Sequence, residues 1–182
     1  WWRVVAEDGS GVADATDSPF AVRNTVQTFY VNDGDLNDDL FCSEPGSAAF
    51  DGLTPATPKA SLQQILDQYD LEGGDAVYLD TGTYSADSDL RVIWSRSGGP
   101  DADVVVQGNP NSPYATVLVR SGSTNFPAIG IDVKASYFQL RDLNVRGIDR
   151  AVRLESNRNA TVSGMVLSDS STGLDVQGAA GT

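Results

Sequence analysis

The sequence predicts an all-β chain wound as a parallel β-helix, a solenoid of short strands with one amphipathic α-helix capping its N-terminal end. Three observations carry this. Apolar positions recur at 21–22 residues in the C-terminal half: Leu140, Leu143 and Val145 return as Val162, Met165 and Leu167. Likewise Ile131 and Val133 return as Val152 and Leu154, then as Leu174 and Val176. Within each segment apolar and polar residues alternate, which puts the apolar set on one side of a strand. Gly, Asn, Asp and Ser stand at the corners between segments. A leucine-rich repeat would show an internal helix or a fixed Asn per repeat, and neither is present. If each strand pairs in parallel with its equivalent in the next coil, about 4.8 Å away, every second side chain fills a continuous interior.

Taken in order, residues 1–23 read as two strands. Trp2, Val4 and Ala6 alternate with polar partners, Asp8-Gly9-Ser10-Gly11 turns, and Phe20, Ala21 and Val22 start the second strand. Phe29, Tyr30 and Val31 open the main unit. Residues 32–57 follow as an acidic loop carrying Gly and Pro, and a loop of that length is uncommon unless it is functional or packed by a ligand. In it Asp33, Asp35, Asn37 and Glu44 take the first, third, fifth and twelfth places of a calcium-loop count, with Leu40 at the apolar eighth. The pattern makes calcium a candidate cofactor. Against it, Asp38 holds the sixth place, where the sharp turn wants Gly, and a strand rather than a helix precedes the loop. A solvated acidic turn is the competing reading.

Residues 57–83 hold the one helical pattern. Leu62, Ile65, Leu66 and Tyr69 fall on a single stripe, while Gln63, Gln64, Asp67 and Gln68 take the other side. Ser61 with Gln64 three residues later makes a capping box, and Gly73-Gly74 is expected to end the helix. A lone apolar stripe must cover something. The open end of a parallel stack, with its apolar stubs and unpaired backbone groups, is what this one fits. Short strands follow over residues 77–79, 91–93, 104–106 and 116–119, before the countable repeat begins near residue 129.

Charge and composition exclude several classes of function. A net charge of −13 over 182 residues, with no histidine, argues against nucleic acid or an anionic membrane as partner, since both require clustered Lys and Arg. No apolar run approaches the roughly twenty residues of a membrane-spanning helix. Cys42 is the only cysteine, which leaves no intrachain disulfide, thiolate zinc site or Cys/His nucleophile, and a buried or loop thiol is its default reading. Asn159-Ala160-Thr161 fits the N-glycosylation pattern, although Asn and Thr are also ordinary residues for a coil corner.

The order Tyr30-Val31, acidic loop, Asp51-Gly52-Leu53-Thr54-Pro55-Ala56-Thr57-Pro58, Ser61-Leu62-Gln63, Gly73-Gly74-Asp75-Ala76-Val77-Tyr78-Leu79 and Gly82-Thr83-Tyr84 resembles the entry segment of pectin lyase-like right-handed parallel β-helices. The resemblance covers about residues 29–181 and speaks to fold far more than to activity. It implies a right-handed coil, a helix capping the first coil, an extracellular or cell-surface location, and a polysaccharide as substrate or ligand. Separately, Trp1-Trp2-Arg3-Val4-Val5-Ala6-Glu7-Asp8-Gly9-Ser10-Gly11 followed by Ser18-Pro19-Phe20-Ala21-Val22 is similar to the last two strands of a fibronectin type III-like module. That similarity implies terminal strands of a preceding module over 1–28 and a multidomain parent, with the β-helix over 29–182 cut short at its C-terminal end. A strand pair belonging to the main fold is the alternative.

The repeat also says which polar residues stack. Asp132, Arg153 and Asp175 share one outward column, and Lys134, Glu155 and Gln177 share its neighbour. The ordinary reading is a pair of exposed charge ladders, worth a few tenths of a kcal/mol per contact. The reading implied by the family makes Asp132, Lys134, Arg153, Glu155 and Asp175 a substrate-binding face for acidic sugar, with an Arg or Lys drawing off the proton α to a carboxylate. Asp132 and Asp175 make a poor glycosidase dyad, because two rungs set their backbones about 9–10 Å apart with Arg153 between them. Tyr114, Phe126, Tyr137 and Phe138 are the aromatics of this region able to meet sugar rings, Phe138 being expected in the core. No complete catalytic set is visible. The sequence therefore points first to a secreted or surface scaffold that contacts glycan, and second to a polysaccharide lyase, epimerase or hydrolase whose site lies partly outside these residues.

Overall fold

The computed structural model describes residues 6–7, 13–14, 25–120 and 128–178. Strands β1 (Ala6–Glu7) and β2 (Ala13–Asp14) pair antiparallel, Ala6 opposite Asp14 and Glu7 opposite Ala13. The second strand expected over Phe20, Ala21 and Val22 lies outside the described residues. From β3 (Thr28–Val31) onward the protein is all-β, with parallel strands in three sheets and one short helix, α1 (Leu62–Gln68).

After the helix the chain visits the three sheets in rotation. The first round is β4 (Ala76–Leu79), β5 (Gly82–Ala86) and β6 (Leu90–Val92); the second is β7 (Val104–Gln107), β8 (Thr116–Arg120) and β9 (Ile129–Val133). The third is β10 (Phe138–Arg141), β11 (Asn144–Arg146) and β12 (Arg150–Glu155), and the fourth is β13 (Ala160–Ser163), β14 (Val166–Ser168) and β15 (Thr172–Gln177). Each strand pairs in parallel with its equivalent in the next round, and β3 lies beyond β4 in the first sheet. The expected register holds: Leu140 opposes Val162, Val145 opposes Leu167, and the columns Ile131–Val152–Leu174 and Val133–Leu154–Val176 run through the third sheet. In the earlier rounds the register partners are farther apart in sequence, as in Val104 with Phe138 and Leu90 with Ile131. The extra residues are all in the corners, so a fixed period is not countable there.

Left-handed backbone sets the corners. Tyr137 (φ 52°), Asp142 (φ 56°), Gly147 (φ 73°) and Ser156 (φ 57°) each have an equivalent 22 residues on, at Asn159 (φ 52°), Gly164 (φ 62°), Asp169 (φ 53°) and Gly178 (φ 59°). One such residue bends the chain between one sheet and the next, at a cost for a non-glycine of about 1–2 kcal/mol. Tyr137, Asp142, Ser156, Asn159 and Asp169 bear that cost, and Gly147, Gly164 and Gly178 avoid it.

Ser61 caps α1 as its position requires, the Gln64 N–H meeting Ser61 Oγ at 3.4 Å, while Gln64 Oε1 accepts from the Ala60 N–H at 3.1 Å. The helix ends earlier than Gly73-Gly74. Tyr69 turns extended (φ −125°), packs its ring 4.7 Å from Phe29 and donates its hydroxyl to Asp51 O, and Leu71 is then fully buried. Gly74 (φ 94°) instead shapes the turn into β4. Leu62, Ile65 and Leu66 are 0–1% exposed and join the core cluster. With α1 against β6 and Tyr69 against β3, the helix covers the end where the sheets begin. The outer edge of β3 is also occupied: Tyr30 N–H donates to Gly52 O, and Lys59 brackets the strand through Lys59 N to Tyr30 O and Asn32 N to Lys59 O. The core then runs without a break from Phe29 to Leu154 and thins to half-buried Val162, Met165 and Leu167 in the last round.

Candidate functional site

The outward columns of the third sheet form as the repeat dictates. Arg91, Asp132, Arg153 and Asp175 are successive register partners, so charge alternates along the stack. Arg153 grips Asp132 with both ends of its fork, Nε to Oδ1 at 2.9 Å and Nη2 to Oδ2 at 2.6 Å. Asp132 is only 3% exposed, so its carboxylate lies under the guanidinium instead of facing a ligand. Glu155 Oε2 receives both Lys134 Nζ and Arg153 Nη2 at 3.3 Å. Arg150, absent from the sequence-based site, donates to Asp175 Oδ2 at 2.7 Å, and Gln177 Nε2 reaches the same oxygen at 2.9 Å. All five predicted residues therefore come together, with Arg150 as a sixth.

This arrangement favours pairing over proton transfer. The hydrogen bond from Arg153 to Asp132 outweighs burial and lifts the guanidinium further above its already high pKa, and the charges of Asp132, Glu155 and Asp175 add to the effect. A group held so firmly in its cationic form is a poor proton acceptor. Lys134 and Glu155 are each about one-third exposed, where an ion pair is worth about 1 kcal/mol or less. The ladder binds its own rungs together.

The four candidate calcium ligands do not converge. Asp33 accepts from the N–H groups of Asp35 and Thr83, at 3.0 and 3.1 Å, and Asp35 accepts from that of Asn37 at 2.8 Å. Glu44 is exposed, and its carbonyl accepts from Asn32 Nδ2 at 3.1 Å. Among the described residues no three Asp, Glu or Cys side chains group as ligands for a metal ion. The loop is organised by two buried polar residues that the sequence did not mark. Asn32 reaches Asp35 O, Asp39 Oδ2 and Glu44 O with its amide. Asp80, fully buried, accepts four backbone N–H groups: Leu40 and Thr81 at Oδ1 (2.7 and 2.9 Å), Phe41 and Cys42 at Oδ2 (2.6 and 2.7 Å). A carboxylate of the chain itself is thus what packs the long loop.

Two groups beside this pin are perturbed. Burial pushes the Asp39 carboxyl up to about 6; the Asn32 amide opposes the shift, and the charges of Asp80, Asp33 and Asp35 reinforce it. Asp39 Oδ1 is buried without a hydrogen-bond partner. Burial also raises the Cys42 thiol, helped by Asp80 and Asp39, and its Sγ lies 3.7 Å from Val31 O. Cys42 is thus a packed thiol and a poor source of thiolate.

Aromatic surface is found on the first sheet, at residues the sequence did not offer for it. Tyr30 and Tyr78 are register partners on the outer face of the first sheet, ring centres 6.2 Å apart, and Phe41 of the acidic loop stacks on Tyr78 at 4.7 Å with planes 17° apart. All three rings are half-buried. The signal was present: Phe29-Tyr30-Val31 and Val77-Tyr78-Leu79 share one in-out-in pattern. Of the expected aromatics, Phe138 is in the core, Tyr137 sits at a left-handed corner, Tyr114 is 68% exposed, and Phe126 lies outside the described residues.

Among the described residues no helix is long and apolar enough to cross a membrane. No family model, no curated protein and no solved structure matches this chain.

Proposed function

We propose that the chain is a right-handed parallel β-helix of the pectin lyase-like kind, serving as a rigid secreted or cell-surface scaffold within a larger multidomain protein and contacting glycan through its outer face. The observation that carries the scaffold reading is the charge ladder of the third sheet, whose acids and bases are matched rung by rung. The glycan contact is assigned to Phe41, Tyr78 and Tyr30, a half-buried aromatic file whose rings suit the apolar faces of pyranose sugars. The same stack fastens the acidic loop to the sheet.

Affinity electrophoresis in gels of pectate, alginate and neutral polysaccharides tests this reading. Retardation by at least one polymer, relieved in Tyr78→Ala with the fold intact by circular dichroism, is the expected result. No retardation in any gel removes the glycan contact. Release of unsaturated uronate products, abolished by Arg153→Ala or Lys134→Ala, would replace the scaffold by a lyase.

A further inference from the structure

The outer faces of the third and first sheets differ in kind. On the third, one outward column runs Arg91, Asp132, Arg153 and Asp175, all ionised. On the first, one outward column runs Tyr30, Tyr78, Gln107, Arg141 and Ser163. Its neighbour runs Thr28, Ala76, Val105, Gln139 and Thr161. Across these two columns Arg141 alone is charged, in a chain of net charge −13. Its guanidinium donates to Gln139 Oε1, and Gln139 Nε2 donates in turn to Asp103 Oδ2, while Gln107 Nε2 reaches Asp142 Oδ2 at 3.3 Å. The loop that lays Phe41 on Tyr78 carries Asp33, Asp35, Asp38 and Asp39. The aromatic file thus continues into amides and one guanidinium, and carboxylates border it.

We propose that the glycan held at this file is a neutral polysaccharide laid along the stack, its rings on Phe41, Tyr78 and Tyr30 and its hydroxyls on Gln107 and Arg141. The inference rests on the glycan contact proposed above and adds its class and direction. A side-chain amide offers donor and acceptor side by side, which suits the neighbouring hydroxyls of a pyranose. Rungs about 4.8 Å apart repeat on the scale of one sugar residue, so successive rungs meet successive residues of a chain that crosses the strands. From Tyr30 to Arg141 is three rungs, about 14 Å. A polyuronate fits less well. Its carboxylates would approach Asp103, Asp142 and the acidic loop, with one cation, already hydrogen-bonded, to attract them.

Affinity electrophoresis of the 182-residue chain in gels of hydroxyethylcellulose, galactomannan and polygalacturonate, each at low and high salt, tests class and direction together. Retardation by a neutral polymer, insensitive to salt and absent with polygalacturonate, is the expected result. Gln107→Ala should weaken it about three- to tenfold, as for the loss of a hydrogen bond between uncharged groups, with circular dichroism confirming the fold. Arg141→Gln, which keeps a donor, should change it by less than about threefold. Retardation by polygalacturonate at least as strong as by the neutral polymers overturns the neutral class and leaves the glycan contact standing. Retardation lost in Tyr78→Ala but indifferent to Gln107→Ala overturns the direction along the stack. No retardation in any gel removes the contact, and this inference with it.

Discussion

Replacing Asp80 by Asn is the sharpest test of how the long acidic loop is held. The substitution keeps the volume and one acceptor oxygen, and exchanges the other for an NH2 group. If the oxygen stays with Leu40 and Thr81, the amide nitrogen confronts the N–H groups of Phe41 and Cys42, which Asp80 Oδ2 now accepts at 2.6 and 2.7 Å. Hydrogen bonds to a charged group contribute about 1.5–3 kcal/mol each. Phe41 and Cys42 are half-buried, so water can recover part of the loss, and the lower bound, about 3 kcal/mol for the pair, is appropriate. Urea unfolding should show a loss of this order if the loop and the sheets unfold together. If the loop opens alone, amide exchange at residues 40–42 should accelerate by about a hundredfold, with the strands unaffected. A change below about 1 kcal/mol, together with exchange within tenfold of the unsubstituted chain, would show that Asp80 is not what holds the loop.

Other substitutions probe separate links. Leu66→Asp puts a carboxylate where a side chain is 1% exposed, and should destabilise the described stack cooperatively; protection from exchange lost near α1 but kept beyond residue 129 would count against the helix as a cap. Gly147→Ala should cost about 1–2 kcal/mol purely through its left-handed backbone (φ 73°), because nothing lies within 4 Å of an added Cβ, whereas Gly99→Ala, equally open and without positive φ, should be neutral or slightly stabilising by thermal denaturation. Asp39 should make the protein more stable as pH falls from 7 toward 4. Its folded pKa, about 6, exceeds the ordinary 3.8, so the native state binds the proton more tightly and this contribution is lost as pH rises through 6. Asp39→Asn should flatten that slope in urea melts between pH 5 and 7, and an unchanged slope would place the titration elsewhere.

The periodic part of the fold was legible because inward residues such as Ile131, Val152 and Leu174 must be apolar wherever the register is tight, so chemistry repeats when structure does. The charge ladder followed from the same count. The earlier rounds hid their period because corner insertions separate partners such as Leu90 and Ile131. Strand β5 went unread since Gly82 and Asp80 look like a strand end, whereas Gly82 begins the next strand. Nothing in the letters Tyr137 or Ser156 announces a positive φ, which Gly or Asn would have signalled. The role of Asp80 was equally invisible, because three of its four partners are backbone amides some 40 residues away, and any sequence supplies those.

The corner insertions carry one more consequence. In the first sheet, Thr28 pairs with Ala76, Ala76 with Val105, Val104 with Phe138, and Phe138 with Ala160, so the contour length between partners varies freely while the pairing does not. Such a scaffold inherits length changes unequally. One residue gained inside a strand would turn its inner face outward, but a dozen gained at a corner leave every rung in place. Variation is thereby channelled to the ridges of the molecule, where new loops can be tried without endangering the frame that displays them.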